Sequence, residues 1–191
     1  MLPNAFNSAL LFLISTLFDL YLCILIIRLI LVWARTDYYH PFTKFIVTLT
    51  QFLVNPLRRI LPNIGRFETA SFVLIFVLEI LKFLLISLLS IGTPNFIGLP
   101  ILAVADMIKL VLNTFFYAIL LQVILSWVQP FSPLNSILNR VTSPIMYPIQ
   151  RVVPPVAGID ISPIPALILL QLLIILLVNP LMAFGVNIAF G

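Results

Sequence analysis

Charged residues stand near the middle of two long apolar stretches of the sequence: Asp19 and Arg28 in the first, Glu79 and Lys82 in the second. A charge at the centre of a bilayer costs about 2.5–3.5 kcal/mol on insertion scales, so such residues turn toward protein or water. Glu79 and Lys82 are one helical turn apart and can share a face. The second half of the chain carries amides at matching places, with Asn113 aligned to Asp19, Gln122 to Arg28 and Gln171 to Glu79. Two chemistries suit this set. One is helix pairing through an intramembrane polar network between the halves, in which Asp19 or Glu79 faces Lys82 or Gln171. The other is a path for protons or small ions. Pairing is the expectation, because four spans in a monomer are slim for a transporter.

Other chemistry is sparse. His40 and Cys23 are the sole residues of their types, which excludes His-pair metal motifs, an intramolecular disulfide and a cysteine cluster. No carboxylate cluster has metal spacing, no serine has a histidine partner and no glycine-rich phosphate loop occurs. We therefore expect no catalytic site, no metal and no cofactor. His40, beside Pro41, reads as an interfacial residue.

The elements that position the charges follow from composition. Of 191 residues, 62% are hydrophobic and 8% charged, against about 25% charged in soluble domains. The mean hydropathy is +1.23. So much apolar side chain exceeds what a soluble core of this length can hide. The apolar runs are continuous, not alternating, so they predict helices and not a barrel. Four spans are expected, at about Ala5–Trp33, Ala70–Ile91, Met107–Val128 and Pro163–Phe184, each reaching the ~20 residues that a hydrocarbon core requires. The first reads as a span and not as a cleavable signal peptide.

The two long connectors are also patterned. Phe42, Phe45, Ile46, Leu49, Phe52 and Leu53 recur at helical spacing, as do Leu134, Ile137, Leu138, Val141 and Ile145. Both segments predict short helices lying on the membrane surface, apolar side down. Pro144 is expected to end or kink the second. The middle connector, Gly92–Asp106, reads as a loop. Arginines and lysines gather in the long connectors, with Arg35, Lys44, Arg58, Arg59 and Arg66 in one and Arg140 and Arg151 in the other. The positive-inside rule then puts both connectors in the cytoplasm and both termini in the periplasm. The formal charge of +4 is spread beside apolar segments, which argues for lipid contact and against nucleic acid.

An internal repeat organises these parts. Asn55-Pro56-Leu57-Arg58-Arg59-Ile60-Leu61-Pro62 aligns with Tyr147-Pro148-Ile149-Gln150-Arg151-Val152-Val153-Pro154, and Trp33 with Trp127. The halves divide as residues 1–92 and 93–191, two tandem two-span repeats of the same orientation. Each carries a proline-flanked arginine, Arg59 between Pro56 and Pro62 and Arg151 between Pro148 and Pro154. The plain reading is a rigid turn re-entering the membrane; a site for a lipid headgroup or a partner is the alternative. Trp33 and Trp127 read as interfacial anchors. Asp160 or Ser162 is expected to cap the fourth span, whose first turn suits Pro163.

Ser126-Trp127, Ser143-Pro144, Tyr147-Pro148, Arg151, Pro154, Gly158 and Asp160-Ile161-Ser162-Pro163, with weaker copies in the first half, resemble the YggT family of bacterial integral membrane proteins, whose relatives include YlmG and a chloroplast protein. The resemblance spans both halves. It implies an all-α polytopic protein of the inner membrane with an accessory role and no enzymatic turnover. Relatives' links to osmotic stress, envelope organisation and cytochrome-complex maturation imply an assembly or scaffold factor, with ion homeostasis as the alternative. The first copy has Asn55 for Tyr147 and Phe52 for Pro144, so the second is the expected site: Tyr147, Pro148, Arg151, Pro154, Gly158 and Asp160. Expected partners are membrane lipids and another membrane protein or complex; homo-oligomerisation is left open.

Overall fold

A computed structural model describes residues 5–65, 67–90, 92–155 and 160–190. Apart from an isolated bridge between Ile64 and Phe67, their regular structure is helical, in six helices. These are α1 (Ala5–Trp33), α2 (Pro41–Arg58), α3 (Thr69–Ser90), α4 (Gly98–Val128), α5 (Pro133–Val152) and α6 (Pro163–Phe190). Helices α1, α3, α4 and α6 are long and apolar enough to cross a bilayer. Large apolar side chains such as Phe12, Leu17, Tyr117 and Leu176 stay outside, as lipid-facing residues do. The chain is a multi-pass membrane protein.

Helix α4 is the hub. It packs on α1, α3, α5 and α6, whereas α1 pairs with α3 and α2 covers the α1–α3 pair. The main core, with Leu22, Leu25, Ile26, Val54, Ala70 and Ile75, lies between α1, α2 and α3. A smaller core around Ile119, Met146, Ala166 and Leu170 joins α4, α5 and α6.

Three expectations are corrected by local backbone chemistry. The middle connector is not a loop throughout: α4 begins at Gly98 and is helical across Pro100 to Asp106. A proline in the first turn is tolerated because its missing N–H has no helical acceptor anyway. Pro144 does not break α5, which also runs through Pro148. The Arg140 carbonyl that Pro144 leaves without its helical donor accepts the Ser143 hydroxyl at 2.9 Å. Pro56 likewise lies within α2, so the proline-flanked arginines sit at helix ends and only their second prolines, Pro62 and Pro154, fall in irregular chain. The fourth span continues to Phe190 by passing Pro180 through a π-bulge at Ile174–Val178, where the Asn179 N–H donates to the Ile174 carbonyl.

The surface-helix pattern also divides. On α2, Phe45, Leu49 and Phe52 stay outside while Thr43, Ile46, Thr50 and Val54 turn inward. On α5, Ile137, Leu138 and Val141 are buried because the helix packs on α4 and α6. Their apolar spacing therefore serves contact with the protein. His40 is the N-cap of α2, its Nδ1 accepting the Phe42 N–H at 3.2 Å.

Helices α4 and α6 approach closely at two glycines. A Cβ on Gly98 would stand 2.6 Å from the Cα and Cβ of Ala189, and one on Gly185 would stand 2.9 Å from Leu102 Cδ2. The Gly98 neighbour is backbone and cannot rotate away. Gly98→Val should therefore destabilise the protein by about 1–3 kcal/mol, the usual cost of overpacking, and Gly185→Val by less. Thermal melting in detergent, followed by tryptophan fluorescence, measures both.

Candidate functional site

One charged centre lies inside the first half, a second joins it to α4, and a polar station with an open cavity lies in the second half. The first centre is built on Arg28, which only α1 could bring to the base of α3. Its Nε and Nη2 donate to the two carboxylate oxygens of Glu68 at 2.8 Å each, and Nη1 donates to Thr50 Oγ1 at 2.9 Å. Both partners are closed off from solvent, at 1% and 0% exposure. The fork geometry satisfies the guanidinium and both carboxylate oxygens at once. Ser71 Oγ also donates to Glu68, and Arg58 stands 3.9 Å away. Burial pushes the Glu68 carboxyl up, but hydrogen bonds from Arg28 and Ser71 and the charges of Arg28 and Arg58 outweigh it. The group is held below its ordinary value.

The second centre is Lys82 of α3. Its ammonium meets Asp19 of α1 at 3.0 Å, Glu79 one turn earlier at 2.7 Å, and Asp106 of α4. Glu79 and Lys82 are buried, while half of the Asp19 side chain is exposed. Three carboxylates around one ammonium leave the cluster formally acidic. Asp19, Glu79 and Lys82 thus come together in one centre. Arg28 does not join them, and neither do the amides. Asn113 lines an apolar cavity of 300 Å³ with Cys23 and Tyr117. Gln171 lies beside Phe116 and Leu167 on the outer side of α4 and α6, so the pairing of Lys82 with Gln171 is not formed. Asp106 and Glu68 are the residues the sequence reading missed. Asp106 was assigned to a loop, and only the recognition of Pro100 as a first-turn proline brings it into a helix.

In the second half, Gln122 of α4 makes a polar station with α5. Its Oε1 accepts the Thr142 hydroxyl and its Nε2 donates to Asn139 Oδ1 at 2.6 Å. Asp160 accepts the Gln150 amide and the Ser162 N–H, both at 2.9 Å. Asp160, and not the Ser162 side chain, thus serves the start of α6. Partial burial pushes its carboxyl up, but the hydrogen bonds from Ser162 and Gln150 hold it below the ordinary value. On α5, the Arg151 guanidinium lies 4.7 Å from the ring centre of Tyr147, both exposed. Pro148, Pro154 and, in the first half, Pro56, Arg59 and Pro62 are exposed and make no shared site with the charged centres. Gly158 lies outside the described residues.

Breaking the Arg28–Glu68 pair from one side should cost about 3–5 kcal/mol, because the other charge stays buried. Arg28→Met should lower the melting temperature far more than the double variant Arg28→Met/Glu68→Leu, which removes both charges. The pair also sets an acid limit. Since the Glu68 carboxyl titrates lower in the folded chain than unfolded, its contribution is complete above the ordinary carboxylate value of 4.5. It is lost as pH falls through the lowered folded value. Melting curves between about pH 7 and pH 3 should show a smaller acid loss in Glu68→Gln than in the parent chain.

The comparisons with known proteins agree with this architecture. The CCB3/YggT family profile matches the chain twice, over residues 7–89 and 101–181. A protein encoded in the proC 3′ region of Vibrio alginolyticus, described as uncharacterised, is 40% identical over 163 residues, covering 84% of this chain and 88% of the relative. A Pseudomonas aeruginosa protein is 38% identical over 181 residues, covering 93% and 92%. The Escherichia coli K12 protein YggT, also described as uncharacterised, is 35% identical over 170 residues and 87% of both chains. No solved structure matches. With four apolar spans, the doubled family match and relatives aligned along most of their length, the chain belongs to the CCB3/YggT family.

Proposed function

We propose that this protein is a non-enzymatic accessory factor of the bacterial inner membrane, acting as an assembly or scaffold element for a membrane or envelope complex. Both termini face the periplasm in this reading, and residues 1–92 and 93–191 are tandem repeats. The doubled family match and the parallel contacts of Arg28 with Thr50 and Gln122 with Thr142 support the repeat. The observation that carries the docking role is the exposed stack of Arg151 on Tyr147. Aromatic and arginine side chains are favoured anchors at protein interfaces. This pair stands on a helix tied to the protein body through Met146 and Val141, near a span end where Trp127 and Phe131 also stay outside. The buried Arg28 and Lys82, by contrast, already have partners within the chain.

The excess of carboxylates around Lys82 favours a second reading, ion handling under osmotic stress. A proton or a small cation would offset that excess, and the exposed side of Asp19 would give it access.

Copurification from native membranes with the intact protein and with Arg151→Ala or Tyr147→Ala tests the first reading. A partner should be recovered with the parent chain and reduced about fivefold or more in either variant. Liposomes loaded with protons or sodium test the second, and no flux above empty liposomes is expected. Selective flux lost in Glu79→Gln and Lys82→Met would displace the scaffold reading. Alkaline phosphatase fused after the C-terminus should be active, and fused after Arg59 inactive.

A further inference from the structure

The two halves put different groups at one corresponding station. In the first, Arg28 reaches from α1 past Thr50 to Glu68, at the foot of α3. In the second, Gln122 comes from α4, Thr142 from α5 and Asp160 from the foot of α6. Gln122 is too short to repeat the bridge, and its amide is engaged with Asn139 and Thr142. Between Gln122 and Asp160 lies a cavity of 290 Å³, also lined by Ser126, Trp127 and Met146. Among the described residues, no lysine or arginine stands within ion-pair distance of Asp160. The first half answers its carboxylate with a cation from its own chain, and the second half leaves the matching carboxylate facing a cavity.

We propose that this cavity holds the protonated amine of an aminophospholipid headgroup, of the phosphatidylethanolamine class. The ammonium would donate to Asp160 and to the lone pair of Gln122 Oε1 that Thr142 leaves free. The location selects lipid over a protein side chain. The cavity lies at the end of α4, where Trp127 is 77% exposed, and at the start of α6, where Ile164 and Ile168 present apolar side chains outward. Tryptophan marks the headgroup level of a bilayer, and lipid is always present there. Arg151, exposed and next in sequence to the Gln150 that binds Asp160, is a cation for the lipid phosphate. A choline headgroup has the same charge but no N–H to donate, so the site distinguishes the two. Lipid capture here shares Arg151 with the proposed docking surface but rests on Asp160 and Gln122, which that surface does not use.

The test uses the full chain in nanodiscs of equal parts phosphatidylethanolamine, phosphatidylcholine and phosphatidylglycerol, followed by native mass spectrometry of the released protein. Phosphatidylethanolamine should be retained over each of the others roughly fivefold, as expected for a charge-assisted contact that is partly exposed. Asp160→Asn should abolish the preference. Gln122→Arg supplies the missing guanidinium from the chain itself. It should abolish the preference too, while raising the melting temperature by about 3 °C, and that rise should vanish when Asp160→Asn is added. Equal retention of the three lipids overturns the proposal, and so does a preference that survives both single variants. Stabilisation by methylguanidinium without a lipid preference also overturns it and assigns the cavity to an arginine of a protein partner.

Discussion

In hydrocarbon no water is available to solvate a charge, and that constraint arranges the interior of this protein. Lys82 and Arg28 each enter the spans with a cost that only a matched anion offsets. Each takes its partners from elements far away in sequence, so solvating the charge also fixes the helices. Lys82 ties α3 to α1 through Asp19 and to α4 through Asp106. Arg28 ties α1 to the base of α3 through Glu68 and to α2 through Thr50. Neither tie works with one partner missing. Lipid offers no hydrophobic drive for helix association, so these ties give the bundle a directional cohesion that apolar contact alone lacks.

Close packing supplies the remainder between α4 and α6. Gly98 and Gly185 let backbone and side chains of the facing helix approach to distances that any side chain would prevent. This follows the small-residue logic of membrane helix pairs, where contact distance sets dispersion energy. The π-bulge before Pro180 serves the same pairing, because it lets α6 continue past the proline to reach Gly98 with Ala189. A helix ending at Pro180 would leave that half of α4 without its neighbour.

The two parts of the chain hold different polar contents. Arg28, Glu68 and Thr50 make a closed, charged knot, whereas Gln122, Thr142 and Asn139 make a neutral one with Asp160 set apart. Arg28 reaches both α2 and the foot of the next span, whereas Gln122 bonds only to α5. That difference of a few bonds leaves the first half sealed and the second half with a polar cavity beside its exposed Tyr147–Arg151 stack.

The amino-acid sequence by itself determined the membrane class, the number of spans and the residues that must find partners inside them. Those follow from hydropathy and length, which act locally and need no knowledge of neighbours. The bounds of α1 and α3 were legible to within a residue because strong apolar runs meet abrupt polar ends. What only tertiary structure decided is which charge meets which. Asp106 and Glu68 were hidden because pairing depends on the crossing of helices and not on spacing along one of them. The same holds for the inward turn of Leu138 and Val141, since an amphipathic stripe looks alike whether it faces lipid or protein. Pro144 was misleading for a related reason. A proline's effect depends on whether a hydroxyl or a shifted helical ladder relieves the lost bond, and that relief belongs to the folded backbone.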